Sequence, residues 1–435
     1  MSNVFVIGLE PFNLALLEAM PQADEMDFRE LLDTHEAIEV EPGFSFDEML
    51  RLAESRLRES DPPDAILNYW DFPGSCLTPV LCKRHGLTAP RLEAVAAMEH
   101  KYWARQEMEA SVPDVTPKVC AVDPFASDPA AAIDLDFPFW LKPVVSHSSY
   151  LGFRVEGPED LQVAITAMRQ HIGHFGHAFD EFLKLVERPP EVADIGGCYC
   201  IAEEIISADA QVTLEGYVWN GDLTVYGHVD SLREGQSQSS FSRYEYPSRL
   251  PQPVLERMEK AIARLLNHIG YDNAPFNAEF FWDEQSDRIS LLEVNTRISK
   301  SHCPLFQDVD GSSHQKVALD LALGRAPDFP RREGKWPKAA KFMVRMFQDG
   351  EIKRVPSAPE LHHVQSRYPE ALIQVLVKEG QRLSHLTFQD SYSFEIADIF
   401  VGGRSDAELM SKHADIMELL PFEIGLTAQV PDETH

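Results

Sequence analysis

Apolar residues recur along the chain with two periods, and the change between them predicts where strands give way to helices. Short apolar runs at Val4–Ile7 and Ala65–Trp70 predict strands, and patterns at Asn13–Met20 and Phe46–Glu59 predict helices beside them. A strand, a turn and a helix at the start of the chain favour an open α/β sheet. No GxGxxG motif follows the first strand, so a dinucleotide site is disfavoured.

Further strands, helices and loops alternate through the middle and the end of the chain. We predict that Leu92–Glu109 is helical, with a loop over Glu234–Arg243 and a linker over Ala326–Pro337. The other predicted strands are Phe139–Val145, Phe153–Val155, Cys198–Ile206, Val212–Trp219, Leu223–Asp230, Ala340–Met346, Leu372–Val377 and Glu395–Val401, and the other predicted helices are Leu161–Arg169, Val254–His268 and Ser405–Leu420. The mixture predicts an α/β (α+β) fold.

Two apolar strands near residue 285 each carry an acidic residue, Glu279 and Glu293. The polar run Asp283–Asp287 between them predicts a hairpin turn, which would bring the two carboxylates side by side. Alternate residues of a strand share a face, so Glu293, Asn295 and Arg297 are expected to project together. Carboxylates that converge inside apolar strands need a compensating charge. Mg²⁺ held by a few oxygens and by nucleotide phosphates supplies it.

Composition limits the partners. The chain has 435 residues, 39 basic and 70 acidic side chains, and a formal net charge of −31. Phosphate neutralisation needs surplus Lys and Arg, so we expect neither a nucleic acid nor an anionic membrane as a partner. The N-terminus predicts a strand rather than a signal peptide, and no apolar run is long enough to cross a bilayer. Cys198 and Cys200 lack the spacing of a zinc knuckle, and we expect six reduced thiols in a cytoplasmic protein.

The order of several features resembles the ATP-grasp superfamily, and its carboxylate–amine (L-amino-acid) ligases in particular. The features are a lysine-bearing helix entry at Glu99–Trp103, a strand Leu141–Pro143 before a small-residue loop, a hinge at Ala202–Ile206, and the acidic strands with Glu279 and Glu293–Arg297. The resemblance implies an ATP-grasp fold. A Rossmann-like lobe would occupy residues 1–110, a grasp domain 111–325 with lobes at about 130–205 and 206–325, and a β-rich C-terminal lobe 326–435.

Applied residue by residue, the resemblance also implies roles. It implies ATP contacts from Lys101, Lys142, Ser148, Ser149, Glu203, Glu204, Ile205, Ile206 and Asp209, with Gln211 as an alternative to Asp209 at the ribose. It implies metal ligation by Glu279, Glu293 and Asn295, charge stabilisation on an acyl phosphate by Arg297, and substrate contacts from Ser299, Lys300 and His302. The cofactors would be ATP and one or two Mg²⁺ ions, or Mn²⁺ in their place.

Taken one at a time, these residues have plainer interpretations. Lys142 fits a lysine at a strand edge, and Lys101 fits a solvated lysine on a helix. Glu203 and Glu204 fit an exposed edge pair, because adjacent strand residues face opposite ways. Glu293 and its two partners fit a solvated strand face with an ion pair. The ordered set as a whole favours the nucleotide site.

The function implied is an ATP-dependent ligase that joins a carboxylate to an amine and releases ADP and phosphate. The run Asn295–Ile298 is also similar to biotin carboxylase, but Ser299–Ser301 follows where that enzyme has groups that handle bicarbonate, and the polyglycine run is absent. A third alternative is an ATP-binding sensor without turnover. We expect small-molecule carboxylate and amine partners, and the sequence allows a homodimer without indicating one.

Overall fold

The structure, a computed structural model, describes residues 1–147, 150–206, 208–234, 240–386, 389 and 393–426. The strands are β1 (Ser2–Ile7), β2 (Met26–Leu32), β3 (Ala65–Leu67), β4 (Val119–Val122), β5 (Phe139–Pro143), β6 (Phe153–Val155), β7 (Cys200–Glu204), β8 (Ala210–Trp219), β9 (Asp222–Glu234), β10 (Ser240–Tyr246), β11 (Ala274–Asp283), β12 (Arg288–Asn295), β13 (Lys338–Met346), β14 (Gly350–Arg354), β15 (Leu372–Val375), β16 (Phe394–Gly403) and β17 (Glu423–Leu426).

The helices alternate with these strands along the chain. They are α1 (Pro11–Glu18), α2 (Thr34–Ala37), α3 (Phe46–Glu59), α4 (Gly74–His85), α5 (Leu92–Glu99), α6 (Lys101–Ser111), α7 (Pro158–His171), α8 (Gly173–Leu183), α9 (Gln252–His268), α10 (Cys303–Asp310), α11 (Gln315–Ala322), α12 (Ala358–Arg367) and α13 (Asp406–Leu419).

The chain divides into two compact units. The first comprises Met1–His228, Ser248–Cys303 and Ser313–Phe329, and the second comprises Val229–Pro247, Pro304–Ser312 and Pro330–His435. All the candidate site residues that the structure describes lie in the first unit. The predicted three-part division at residues 110 and 325 stays a prediction.

The first unit opens with a parallel sheet of order β2-β1-β3. Its central strand is apolar and buried, as expected for a parallel strand covered on both faces. Helix α3 begins where Ser45 accepts the backbone N–H of Glu48, and it buries Phe46, Leu50 and Leu57 on one face.

An aromatic cluster connects α3, α8 and the segment after β3. The rings of Phe72 and Phe179 meet edge to face with centroids 5.1 Å apart, and those of Phe46 and Phe182 lie 5.4 Å apart. These phenylalanines are almost fully buried, and such pairs stabilise beyond the area they remove from water. The cluster fixes the position of α8 within the first unit.

An antiparallel sheet of order β4-β7-β5-β6 follows. Helix α7 covers it, and Leu141, Ile165 and Met168 belong to the shared apolar core. This sheet carries Lys142 on β5 and Glu203 on β7, which are neighbouring strands.

A second antiparallel group in the first unit consists of β12, β11 and β8. Helix α9 contributes a strongly amphipathic face, with Met258, Ile262 and Leu265 buried. The hairpin predicted at Asp283–Asp287 is confirmed, because β11 ends at Asp283 and β12 begins at Arg288.

In the second unit the later residues of β9 pair with β10, β13 lies between β10 and β16, and β15 pairs with β16. Helix α13 packs on these strands through Leu409 and Ile416, which join Phe342, Ile399 and Val401 in one core. A separate pair of strands, β14 and β17, forms a smaller core.

Several predicted elements differ from the structure in their bounds. The helix expected over Leu92–Glu109 is two helices, because His100 leaves the helical conformation and its Nδ1 caps α6 by accepting from Trp103 N–H at 3.2 Å. The strand expected over Ala65–Trp70 ends at Leu67. Part of the loop expected over Glu234–Arg243 is strand, since β10 begins at Ser240; residues 235–239 lie outside the described part of the chain.

Within the described ranges, no helix combines the length and the apolar character needed to cross a bilayer. All six cysteines are described, and all are free thiols, as expected.

Candidate active site

Polar side chains form two rows across the antiparallel strands of the first unit. In one row Thr213 on β8 lies opposite Glu279 on β11, and Glu279 lies opposite Glu293 on β12. Directly opposed residues in an antiparallel pair have Cβ atoms about 5 Å apart, and like charges placed there repel. The predicted approach of Glu279 and Glu293 is therefore confirmed, and it creates a local excess of negative charge.

The second row lies two residues along each strand, on the same face. It contains Glu215 on β8, Asn277 on β11 and Asn295 on β12. Asn277 donates through Nδ2 to Glu215 Oε1 at 2.7 Å and accepts through Oδ1 from Asn295 Nδ2 at 3.0 Å. The amide nitrogen of Asn295 is thus directed into the sheet, and its amide oxygen is left for a ligand.

Glu215 was missed by sequence reasoning, although an acid in the apolar strand after Val212 and Leu214 was a visible signal. It is fully buried and also contacts His302 Nδ1 at 2.8 Å. Burial raises the pKa of Glu215 to about 7, against the lowering effect of the nearby His314. The second row therefore ends in the carboxyl group of Glu215. This group accepts from Asn277, which in turn accepts from Asn295.

Lys101 faces the first row. Its Nζ lies 3.8 Å from Glu293 Oε2 and donates to the backbone oxygen of Ser146 at 2.8 Å. The side chain is mostly buried, so the interpretation as a freely solvated helix lysine does not describe it. A single lysine at this distance offsets only part of the charge on Glu279 and Glu293.

Lys142 and Glu203 form a buried ion pair, with Nζ and Oε2 2.6 Å apart. Glu203 also accepts from Arg105 Nε at 2.5 Å. Burial would raise the pKa of Glu203, but the charges of Arg105 and Lys142 outweigh it and lower this pKa to about 2. The interpretation of Glu203 as an exposed edge residue is wrong, because it is 2% exposed.

Arg105 was also missed, since a helix arginine in a polar stretch carries no sequence signal. It is 3% exposed and its second terminal nitrogen donates to the backbone oxygen of Leu292 at 2.5 Å. One guanidinium therefore connects β7, through Glu203, with the residue that precedes Glu293 on β12.

Arg297 does not continue the alternation of Glu293 and Asn295, because β12 ends at Asn295. Its Nε donates to Asp71 Oδ1 at 2.8 Å. Burial alone would raise the pKa of Asp71, but the charge of Arg297 lowers it. The expectation that Arg297 projects with Glu293 and Asn295 into one site stays a prediction, and Asp71, on the segment after β3, holds its guanidinium.

Glu99, the last residue of α5, lies beside this pair. Thr296, between Asn295 and Arg297, donates through Oγ1 to Glu99 Oε1 at 3.3 Å. Burial, followed by the charge of Asp71, raises the pKa of Glu99 to about 7. The carboxyl group can therefore hold a proton at neutral pH next to Arg297.

The three residues expected to contact substrate lie in different surroundings. Lys300 Nζ lies 3.2 Å from Glu10 Oε1 and 3.4 Å from the centre of the Trp70 ring. Ser299 is held through its backbone N–H by Glu215 at 3.2 Å. His302 is 2% exposed and contacts Glu215 of the second row. Lys300 lies beside the segments that follow β1 and β3, which carry Glu10 and Trp70.

The expected adenine and ribose contacts are only partly positioned. Glu204 ends β7, and Ile205 and Ile206 follow it, half-buried and outside regular secondary structure. Asp209 accepts the backbone N–H of Glu284 at 2.9 Å, and Gln211 donates to Glu279 Oε2 at 2.8 Å. Both proposed ribose ligands thus have structural partners. The expected phosphate contacts of Ser148 and Ser149 lie outside the described residues.

The donor set fits a hard divalent cation. Glu279, Glu293 and Asn295 offer carboxylate and amide oxygens, the ligands Mg²⁺ takes, and they lie in paired register. Gln211 and Asn277 hold two of them through hydrogen bonds. The carboxylates of Glu279 and Glu293 lie directly opposite each other, and a divalent cation held between them would offset their mutual repulsion.

Comparisons with known proteins agree with this geometry. Residues 236–327 match the family described as carbamoyl-phosphate synthase L chain, ATP binding domain, and this range contains Glu279, Glu293, Asn295 and Arg297. The chain is 22% identical to urea amidolyase from Saccharomyces cerevisiae over 341 residues, which are 78% of this chain and 17% of that protein. It thus spans less than a fifth of the length of this relative.

Solved structures share the fold over nearly the whole chain. L-amino acid ligase from Bacillus licheniformis has a TM-score of 0.74 at 14% identity, covering 97% of this chain and 98% of that one. Biotin carboxylase from Campylobacter jejuni, solved as a βγ-ATP complex, has a TM-score of 0.64 at 15% identity, covering 97% and 92%.

The chain therefore has the fold of the ATP-grasp superfamily, and the predicted fold class and resemblance are confirmed.

Proposed function

We propose that this protein is an ATP-dependent ligase that activates a carboxylate as an acyl phosphate and joins it to an amine. The observation that carries the proposal is the opposed pair Glu279 and Glu293, extended by Asn295 and faced by Lys101. Opposed carboxylates repel each other unless a cation lies between them, and the phosphate chain of a nucleotide would supply further ligands to that cation. The structural likeness to an L-amino acid ligase supports the amine as the second substrate.

In the proposed reaction Lys101 and Lys142 bind oxygens of the triphosphate as point charges. Glu203, itself fixed by Arg105, holds the Lys142 ammonium in place. Glu279, Glu293 and Asn295 would hold Mg²⁺, which when bound neutralises phosphate charge. A substrate carboxylate oxygen then attacks the γ-phosphorus, the bond to the β–γ bridging oxygen breaks, and ADP leaves with the bonding electrons.

In the second step the amine nitrogen attacks the acyl carbon and loses a proton, while the carbon–oxygen bond to phosphate breaks. Arg297, oriented by Asp71, stabilises the oxygen that becomes negative in the tetrahedral intermediate. Glu99 accepts a hydrogen bond from Thr296, the residue between the proposed metal ligand Asn295 and Arg297. The products are an amide, ADP and phosphate.

The test is incubation of the purified chain with Mg·ATP and pooled carboxylic and amino acids. We expect ADP and phosphate in equal amounts, and a product whose mass is the sum of one acid and one amine less one water. The matched control is the Glu293→Ala variant under the same conditions. Release of AMP and pyrophosphate would contradict the acyl phosphate, and nucleotide binding without ADP release would favour the sensor alternative.

A bicarbonate-activating enzyme is the second candidate. It is supported by the fold of biotin carboxylase and by the similar run Asn295–Ile298. Against it, Lys300 is engaged by Glu10 and Trp70, and no acid stands in Ser299–Ser301 to act as a base. ATP turnover that needs bicarbonate and rises with free biotin would select this candidate over the first.

A further inference from the structure

A group of metal-binding side chains lies outside the nucleotide site, between α8 and the turn before β7. His177 and Asp180 lie three residues apart on α8, and Cys198 precedes β7 by two residues. One imidazole nitrogen, one carboxylate oxygen and the thiol sulfur all lie within 4.8 Å of one another. We propose that His177, Asp180 and Cys198 bind a divalent metal of the zinc type.

The distances fit one ion. His177 Nδ1 and Cys198 Sγ are 3.6 Å apart. A tetrahedral zinc with Zn–S of about 2.3 Å and Zn–N of about 2.0 Å places its sulfur and nitrogen ligands about 3.5 Å apart. The nitrogen and sulfur thus lie at the separation that the ion requires before any movement of the chain.

The third ligand is already oriented. Asp180 accepts the backbone N–H of Gly197 through Oδ1 at 2.7 Å, which leaves Oδ2 for an ion. Ligating carboxylates in metal sites are commonly held in this way by a second hydrogen bond. Asp180 is therefore fixed by the same turn that presents Cys198.

Glycines make the approach of the two elements feasible. A Cβ added to Gly197 would lie 2.2 Å from the backbone oxygen of Gly176, and one added to Gly176 would lie 2.8 Å from Cys198 Sγ. A Cβ on Gly173 would lie 2.7 Å from His177 Nε2. Side chains at these positions would separate the ligands, so the glycines keep α8 and the turn close together.

The chemistry selects the class of metal. One nitrogen, one oxygen and one sulfur ligand suit the borderline-soft Zn²⁺ better than Mg²⁺, which prefers oxygen. His177 is exposed, so water can take the fourth position. Binding releases the thiol proton, because the thiolate is the ligand. The bound ion would connect α8 to the turn that leads into β7 and Glu203.

Cobalt(II) titration of the metal-free full chain, without nucleotide, tests the site. Co²⁺ replaces zinc at such ligands and reports thiolate bonding through a charge-transfer band. We expect this band, with visible bands of four-coordinate cobalt, to saturate at one equivalent and to disappear when Zn²⁺ is added. Cys198→Ala should abolish the band, and His177→Ala should weaken cobalt binding by at least ~10-fold.

Two control variants separate this site from other causes. Cys120→Ala removes a second partly exposed thiol on β4 and should leave the spectrum unchanged. Glu293→Ala removes a ligand of the nucleotide site and should also leave it unchanged, so the outcome is independent of the proposed ligase activity. Because His177 is exposed, its alanine variant keeps the test valid even where Cys198→Ala fails to fold.

A wild-type spectrum without the charge-transfer band would overturn the proposal, as would a band that persists in Cys198→Ala. Cobalt binding as tight in His177→Ala as in the wild type would remove the imidazole from the site and would equally overturn it.

Discussion

Two regions of the molecule place acidic side chains together on a β-sheet and treat their charge differently. In the second unit Glu395 and Asp398 lie on β16, and the neighbouring β13 supplies Lys341 and Arg345. Lys341 Nζ is 2.8 Å from Asp398, and Arg345 is 2.7 Å from Glu395. Each of these two acids therefore has a basic partner on the neighbouring strand.

In the first unit Glu279 and Glu293 face each other, and Lys101 lies 3.8 Å from Glu293. Glu293 is also 35% exposed, whereas Lys341 and Asp398 are nearly buried. A buried cluster of paired charges loses stability when one partner is removed, because the other charge is then left away from water. Two directly opposed carboxylates at a partly exposed position can instead be reached by a ligand that brings a divalent cation. The contrast teaches which of two acidic clusters to assign to function.

The largest expected effect is the loss of turnover in Glu293→Ala, because a ligand of the proposed cation is removed. We expect no detectable ADP release, while the melting temperature stays constant or rises slightly as the opposed charge disappears. Glu284→Ala, on the exposed turn of the same hairpin, is the matched control and should keep full activity. Turnover by Glu293→Ala at the wild-type rate would remove the metal assignment.

Arg297→Ala should lower the turnover rate by about 10²–10³ if the guanidinium stabilises an oxyanion. The measurement is kcat for ADP release, with circular dichroism to confirm the fold. Arg257→Ala removes an exposed arginine paired with Asp287 and serves as the control. A loss of less than ~10-fold for Arg297→Ala would reduce this residue to a structural partner of Asp71.

The cluster in the second unit should respond in stability instead. Glu395→Gln removes the negative charge that Arg345 and Lys341 face on β16, and we expect unfolding to become easier by about 3 kcal/mol. Urea denaturation measures this change. A stability equal to that of the wild type would show that the ion pairs of Glu395 do not stabilise the second unit.

The smallest expected effect concerns pH. The pKa of Glu99 is raised to about 7 from an ordinary value near 4.5, so its ionisation opposes folding. The ionisation of Glu99 does not affect the free energy of unfolding below pH 4.5. It lowers this free energy progressively as the pH rises from about 4.5 to about 7. Glu99→Gln stays neutral, so its free energy of unfolding relative to the wild type should rise over this interval, by at most about 3 kcal/mol.

Melting curves between pH 5 and pH 8 check this pH prediction. Glu109→Gln, at an exposed position of α6, is the control. The difference in free energy of unfolding between this variant and the wild type should not vary with pH. A Glu99→Gln variant whose relative stability is the same at both ends of the range would show that Glu99 ionises as it does in water.

Much of the fold was predictable because apolar periodicity is strong in this chain. The hairpin around Asp283–Asp287 and helix α9 follow directly from it. Helices α4 and α8 were missed because Pro79 lies inside one and Gly173 and Gly176 weaken the other. These helices are stabilised by tertiary packing, such as the aromatic cluster, which a local pattern does not contain.

The site was predictable to the extent that its residues lie close in sequence. Glu279, Glu293 and Asn295 are joined by one turn, so strand alternation was enough to bring them together. Glu215, Asp71 and Arg105 enter from distant segments, and only tertiary structure pairs them with Asn277, Arg297 and Glu203. The interpretation of Glu203 as an exposed edge residue was also wrong, because its carboxylate is buried in an ion pair with Lys142.

Arg105 has a mechanical consequence. Its buried guanidinium bonds at once to Glu203 on β7 and to the backbone of Leu292 on β12. Any motion that separates these strands must break two charged hydrogen bonds in a place that water does not reach. Separation of β7 from β12 is therefore opposed at this point by one side chain of α6.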